Sequence, residues 1–334
     1  MSKDREDRKK HRYHLNQKIE LMEQFDYIRL TQTENKDEWN KLKKLWSENE
    51  TILKSYKDIN TEIVGNYWDG QFSHEVTKNH KICICTNIMG RVRDLAKTLP
   101  KNIETLKDYP NVEFNLLNYG DKHGLDDWVK KNMMQHIESG LLKYYKVLDD
   151  INFYSMSHSR NICLRLAGGL DNASHDIIVN QVDGDNDLRA TNANADDFAT
   201  HVNKLAHELP EKAIFGKGKR LMHGRIGFYK DEFLMLGGYD EGIIGYGHDD
   251  RDLYNRAMLL GHSLAWYGGT YCRRIHTPIM HKVQNMKFKD YRYTENINKL
   301  ISLDNLEDGK YIANTTRHWG KAKILKNFKE EFDM

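Results

Sequence analysis

The sequence predicts an α/β fold: a Rossmann-like, mostly parallel sheet flanked by helices, carried behind a helical N-terminal extension. Three observations predict it. Short apolar runs such as Lys81-Ile82-Cys83-Ile84-Cys85-Thr86 lack polar alternation, as strands buried on both faces do. Between them lie segments with apolar residues at three- and four-residue steps, the spacing of a helix face. Acidic and glycine-rich clusters follow directly on these runs, where open α/β sheets hold their ligands. Composition agrees, because 334 residues with 39% hydrophobic and 30% charged side chains can bury a core and are not broadly disordered.

The elements follow in order. Trp39, Leu42, Leu45, Trp46, Ile52, Leu53 and Tyr56 form an amphipathic stripe, repeated more weakly by Leu15, Ile19 and Met22. Residues 1–75 are therefore read as the helical extension, with Asn66-Tyr67-Trp68-Asp69-Gly70 as a turn at the junction. The first strand is Lys81 to Thr86, and a helix through Leu95 and Leu99 follows it. Val112 to Leu117 reads as the second strand, and Leu125, Trp128, Val129 and Met133 mark the second helix. Arg160 to Leu170 is a further helix and His175 to Val182 a further strand. Leu253, Tyr254, Met258 and Leu259 mark another helix, and Gly269 to Ile275 a last strand. This assigns residues 76–285 to the α/β domain. Residues 286–334 form a helical or irregular segment on it, whose Tyr291, Tyr293, Tyr311 and Trp319 either cover the site or simply pack.

Charge excludes some functions. The 51 Lys and Arg against 49 Asp and Glu leave a net charge of +2, so no global field draws the chain to nucleic acid or anionic lipid. No apolar run approaches the roughly 20 residues of a membrane span, and the first dozen residues are charged where a signal peptide is greasy. A soluble, cytoplasmic protein is expected. The four cysteines lack CxxC spacing and read as buried thiols rather than disulfides or a zinc site.

Chemistry concentrates in four clusters. The strand ending at Val182 runs into Asp183-Gly184-Asp185-Asn186-Asp187, oxygen ligands of the kind that hold Mg²⁺ or Mn²⁺ beside substrate phosphates. An EF-hand is excluded, since Leu188 stands where its Gly belongs and Asn194 where its bidentate Glu belongs. Downstream, Gly237-Gly238-Tyr239-Asp240 and Gly245-Tyr246-Gly247-His248-Asp249-Asp250 form a tight loop that leads two acids into a helix N-terminus. Asp249 suits capping, and Asp250 suits proton abstraction. His158-Ser159-Arg160-Asn161 opens the helix before the acidic strand and suits an anion or nucleotide. His276 and His281 offer neutral metal ligands.

From about Lys81 to about Val283, these pieces and their order resemble the inverting glycosyltransferases of the GT-A fold, the family-2-like enzymes. The C-terminal half is similar to that of β-1,4-galactosyltransferases and chondroitin-type polymerases. Further markers are Cys85-Thr86-Asn87, Arg91, Leu117-Asn118-Tyr119-Gly120 and Gly224-Arg225-Ile226-Gly227. The resemblance implies metal-dependent transfer of a sugar from a nucleoside-diphosphate donor, in the first place a UDP-sugar, to the hydroxyl of a glycan or other acceptor. It implies Asp250 as general base, with Asp249, Tyr246 and Gly247 toward the acceptor. Thr86, Arg91, Asn118, Arg160, Asn161, Asp183 and Arg225 fall on the donor side. Mn²⁺ (or Mg²⁺) is implied on Asp185 and His276, with His281 as the other choice. The first of the paired acids is Asp where the family has Glu, and His248 replaces the preceding Gly. A sugar-phosphate nucleotidyltransferase, a metal-dependent phosphohydrolase or a non-catalytic glycan-binding module on the same fold are the rival readings. The first of these wants a Gly-rich basic loop after the first strand, which Ile88-Met89-Gly90-Arg91-Val92-Arg93 imitates poorly.

Overall fold

The computed structural model describes residues 67–68, 70–216, 225–267, 270–316 and 318–334. In chain order the strands are β1 (Tyr67–Trp68), β2 (Lys81–Ile88), β3 (Val112–Asn118), β4 (Leu142–Val147), β5 (Ile177–Val182) and β6 (Asn186–Asp187). They continue as β7 (Ala213–Gly216), β8 (Arg225–Tyr229), β9 (Ser263–Trp266), β10 (Arg273–Arg274), β11 (Lys323–Lys326) and β12 (Glu330–Asp333). The helices are α1 (Val92–Leu106), α2 (Leu125–Asn132), α3 (Met134–Glu138), α4 (Met156–Leu166) and α5 (Phe198–Glu208). After them come α6 (Lys230–Met235), α7 (Asp249–Leu259), α8 (Ile279–Val283) and α9 (Tyr291–Glu307).

The α/β class read from the sequence is the class observed. Strand β2 is apolar without alternation because both its faces are covered. Ile82, Ile84 and Ile88 pack with Leu95, Leu99 and Ile103 of α1 and Val202 of α5. Cys83 and Cys85 pack on the opposite side with Ile162 and Leu166 of α4 and Leu253 of α7. All four cysteines are buried thiols outside any disulfide, as their apolar surroundings suggested.

Ten strands form one sheet in the order β1-β9-β7-β8-β5-β2-β3-β4-β11-β12. Its centre, β5-β2-β3-β4, is parallel. From β2 the chain builds outward through β3 and β4, then returns to place β5 on the other side of β2. The carboxyl ends of β2 and β5 therefore diverge at a topological switch point, the place where such sheets open a crevice for ligands.

Some elements differ from the sequence expectation. Strand β4, with Leu142, Tyr144 and Val147 facing the core, was not anticipated. Tyr67 and Trp68, read as part of a turn, form instead a short edge strand parallel to β9, the aromatic pair being a good strand former. The amphipathic stripe of residues 1–66 lies outside the described residues. At the other end, residues 286–334 contain α9 and also the hairpin β11–β12, which extends the sheet from β4 in antiparallel sense. Only Arg273–Arg274 of the last expected strand is extended, with residues 268–269 outside the described ones, and it pairs with β6 rather than joining the main sheet.

Candidate active site

The cleft at the switch point has a volume of about 690 Å³ and is lined by the ends of β2 and β5, the first turn of α7, and parts of α8 and α9. Polar residues on the buried face of α1 shape its floor. Thr98 Oγ1 donates to the Gly184 carbonyl at 2.7 Å, and Asn102 Nδ2 donates to the Asn186 carbonyl at 2.9 Å. Asn102 Oδ1 accepts from the Leu188 amide at 2.8 Å, so the acidic loop is clamped at both ends. Gly184 is required by close approach, since a Cβ there would sit 2.5 Å from Ile88 Cδ1.

Two carboxylates of this loop face different partners. Asp185 is fully buried, with Arg91 Nη2 at 2.9 Å and Lys282 Nζ at 3.2 Å from its Oδ2. Its Oδ1 accepts from Asn186 Nδ2 at 3.0 Å. Burial raises the cost of its charge, and Arg91 and Lys282 outweigh that cost, holding its carboxyl below the ordinary range. Asp183 lines the cleft, and its nearest cation is Arg160, whose Nη2 lies 3.3 Å from Asp183 Oδ1. Burial raises the Asp183 carboxyl, an effect Arg160 opposes.

Arg160 is the hub of the acidic side. It is buried at the start of α4, and its Nη1 donates to Asp249 Oδ2 and, at 2.9 Å, to Asp250 Oδ1. Tyr239 lies beneath the guanidinium at 5.2 Å and donates its hydroxyl to Asp250 Oδ1 at 3.1 Å. The pair Asp249 and Asp250 opens α7 after a loop in which Gly247 and His248 both take left-handed φ values, 95° and 68°. Burial pushes the Asp249 carboxyl up to about 7, against the pull of Arg160 and with a push from Asp250. His248, also in the cleft wall, is held neutral by burial, its pKa lowered to about 4.

Helix α9 holds this loop from outside. Asn298 Nδ2 donates to the carbonyls of Ile244 and Gly247 at 2.7 and 2.8 Å, and Thr294 Oγ1 donates to the Tyr246 carbonyl at 2.9 Å. Tyr291, Glu295, Asn296 and Lys299 of the same helix complete that wall. The C-terminal segment thus both packs and covers the site, two roles the sequence left open.

Of the residues singled out from sequence, the cleft lining gathers Arg91, Arg160, Asp183, Arg225, Tyr246, Gly247, Asp249 and Asp250. Thr86, Asn118 and Asn161 lie behind it with their polar groups committed. Thr86 donates to the Val182 carbonyl, Asn118 to Asp126 and Tyr144, and Asn161 to the Tyr239 carbonyl and Glu241. Asn161 thereby anchors the Gly237-Gly238-Tyr239 turn instead of facing a donor. Lys282, Tyr154 and Asn285 were missed, because no local motif marks residues that reach the cleft only through the tertiary fold.

The expected metal ligands are not brought together. His276 and His281 are exposed and outside the cleft lining, while Asp185 is covered by two side-chain cations. Among the described residues no group of three or more His, Cys, Asp or Glu side chains is arranged to hold a metal ion. As folded, this donor set does not fit a divalent cation.

Comparison with known proteins bears on the second half of the chain. Residues 203–282 match the family described as the N-terminal domain of galactosyltransferase. The resemblance to galactosyltransferases read from the sequence is borne out over this stretch, which contains the loop before α7 and both of its leading acids. Beta-1,4-galactosyltransferase 5 of Sus scrofa is 27% identical over 119 residues, 36% of this chain and 29% of that protein. The Danio rerio protein of the same name is 26% identical over 114 residues, 34% of this chain and 28% of its own length. The chain thus spans less than a third of the curated relatives it matches. Among solved structures, a mannosyltransferase from Pyrobaculum calidifontis in complex with GDP-Man and Mn²⁺ is 15% identical, with a TM-score of 0.49, covering 78% of this chain and 77% of that one. The catalytic domain of Drosophila beta1,4galactosyltransferase 7 in complex with xylobiose is 13% identical, with a TM-score of 0.41, covering 65% and 79%.

Proposed function

We propose that this chain is a GT-A glycosyltransferase that moves a sugar from a nucleoside-diphosphate donor, a UDP-sugar, to the hydroxyl of a glycan or other acceptor with inversion at the anomeric carbon. One observation carries the reading: the galactosyltransferase-matched segment delivers Asp249 and Asp250 into a cation-lined cleft at the carboxyl ends of β2 and β5.

The residues divide the work by charge. An acceptor hydroxyl is a poor nucleophile until a carboxylate takes its proton, and Asp250 is the group for that step. Arg160 and the Tyr239 hydroxyl both engage Asp250 Oδ1, which fixes the carboxylate. On the opposite side the leaving diphosphate gains negative charge as the glycosidic bond breaks, and preorganised cations stabilise it. Arg91, Arg225, Arg274 and Lys282 line that side. A proton taken on the acceptor face and a leaving group departing from the other make one displacement, which inverts the anomeric centre. Tyr291 and Glu295 of helix α9 line the cleft, and in this reading they meet the acceptor sugar. Among the described residues no helix is long and apolar enough to cross a membrane.

The test is incubation with a panel of nucleotide sugars, following release of free nucleoside diphosphate with and without acceptor glycans. Release of UDP from one donor, abolished in Asp250→Asn, is the expected result. Undiminished release in that variant would remove Asp250 from the mechanism, and no release from any donor would remove the transferase reading.

A further inference from the structure

We infer that Lys282, with Arg91, forms a built-in cation seat for the diphosphate of the nucleotide donor, so that donor binding does not depend on a divalent ion. The inference rests on the nucleotide-sugar reading above and concerns how that donor is held.

The starting point is Asp185. A fully buried carboxylate is tolerated only when opposite charge compensates it, and here the compensation comes from protein cations on one oxygen. A divalent ion would have to displace Lys282 to reach that oxygen, and would then stand against the Arg91 guanidinium. Neither His276 nor His281 is among the residues that line the cleft.

The same two cations face the cleft. An ammonium carries three N–H donors and a guanidinium five, so an ion pair with Asp185 leaves donors for phosphate oxygens. Arg91 uses Nε and Nη2 on Asp94, Asp185 and Thr277. Arg225 adds a third cation whose Nε is spent on a neutral amide, that of Asn186. Asp185 then acts as the counter-charge that fixes the Lys282 and Arg91 side chains before a ligand arrives.

The segment carrying Lys282 is built into the site rather than laid over it. The turn after α8 is tied to the end of β2 by Asn285 Nδ2 donating to the Met89 carbonyl at 2.8 Å and Gln284 Nε2 donating to the Gly90 carbonyl at 3.0 Å. The Tyr154 amide donates to the Asn285 carbonyl at 2.7 Å. Gly90, at φ +74°, permits this contact, since a Cβ there would lie 2.1 Å from Asn285 Nδ2.

Titration calorimetry of the full chain with UDP, in EDTA and in Mn²⁺, tests the inference. Wild-type protein is expected to bind UDP in EDTA. Lys282→Met is expected to weaken that binding about tenfold or more, and Lys282→Arg to retain most of it, as loss and replacement of a charge-assisted contact would. A thermal melt of each variant checks that it is folded, and the wild-type comparison stands without any variant. Binding of UDP to wild-type protein only in Mn²⁺ overturns the inference and leaves the donor reading intact. Equal binding by wild-type and Lys282→Met in EDTA overturns the role of Lys282. Absence of UDP binding in both conditions removes the UDP-sugar reading and the inference with it.

Discussion

At the scale of single residues, the site is governed by how one buried arginine is shared. Arg160 meets Asp183, Asp249 and Asp250 at once, so the group that orients the proposed base also offsets part of the negative charge gathered around it. Removing it as Arg160→Met strands buried carboxylates and is expected to cost about 3–5 kcal/mol of stability, measurable by urea unfolding. Asp250→Asn keeps the shape and the contact to Arg160 while removing the base, so transfer is expected to fall about 10²- to 10⁴-fold with UDP affinity unchanged. A kcat that falls only with a parallel loss of UDP binding would contradict that division of roles. Asp250 was legible in the sequence because two adjacent acids at a helix start after a glycine-rich loop form a local pattern. The hub role of Arg160 was not, since its partners lie 23 to 90 positions away in the chain.

Among the elements, α1 does more than cover the sheet. Its apolar positions follow the helical period and were legible, but Thr98 and Asn102, on the same buried face, hold the acidic loop. Asn102→Ala leaves the Leu188 amide and the Asn186 carbonyl without these partners and is expected to cost about 1–3 kcal/mol per unmet group, read as a lower denaturation midpoint at unchanged m-value. UDP binding should weaken as well, because the loop sets where Asp185 holds Arg91 and Lys282. Helix α9 shows the same limit of sequence reading. Its Asn298 and Thr294 are unremarkable along the chain, yet they fix the loop that carries Tyr246 and Gly247 because that loop presents carbonyls to them.

For the whole molecule, the buried acids couple stability to pH. Burial raises the Asp249 carboxyl from an ordinary value near 3.8 to about 7, so between those values the folded state keeps a proton that the unfolded state releases. More protons on the folded state means stability falls as pH rises through this window, by up to about 1.4 kcal/mol per pH unit from this group. Asp249→Asn is expected to remove that slope, so the difference between variant and wild-type unfolding free energies should grow from pH 4 to 7 and level off above it. A constant difference across that range would show that Asp249 is ionised throughout. The strand–helix alternation, the α/β class and the leading acids of α7 were determined by the sequence itself, because periodicity and adjacent charges are local properties of the chain. Only the tertiary structure decided that Thr86, Asn118 and Asn161 turn away from the cleft, that residues 323–333 close the sheet as a hairpin, and that Lys282 reaches Asp185. Those outcomes depend on which buried polar groups find partners when distant segments meet, and a buried carboxylate takes whichever cation the packed fold brings within reach.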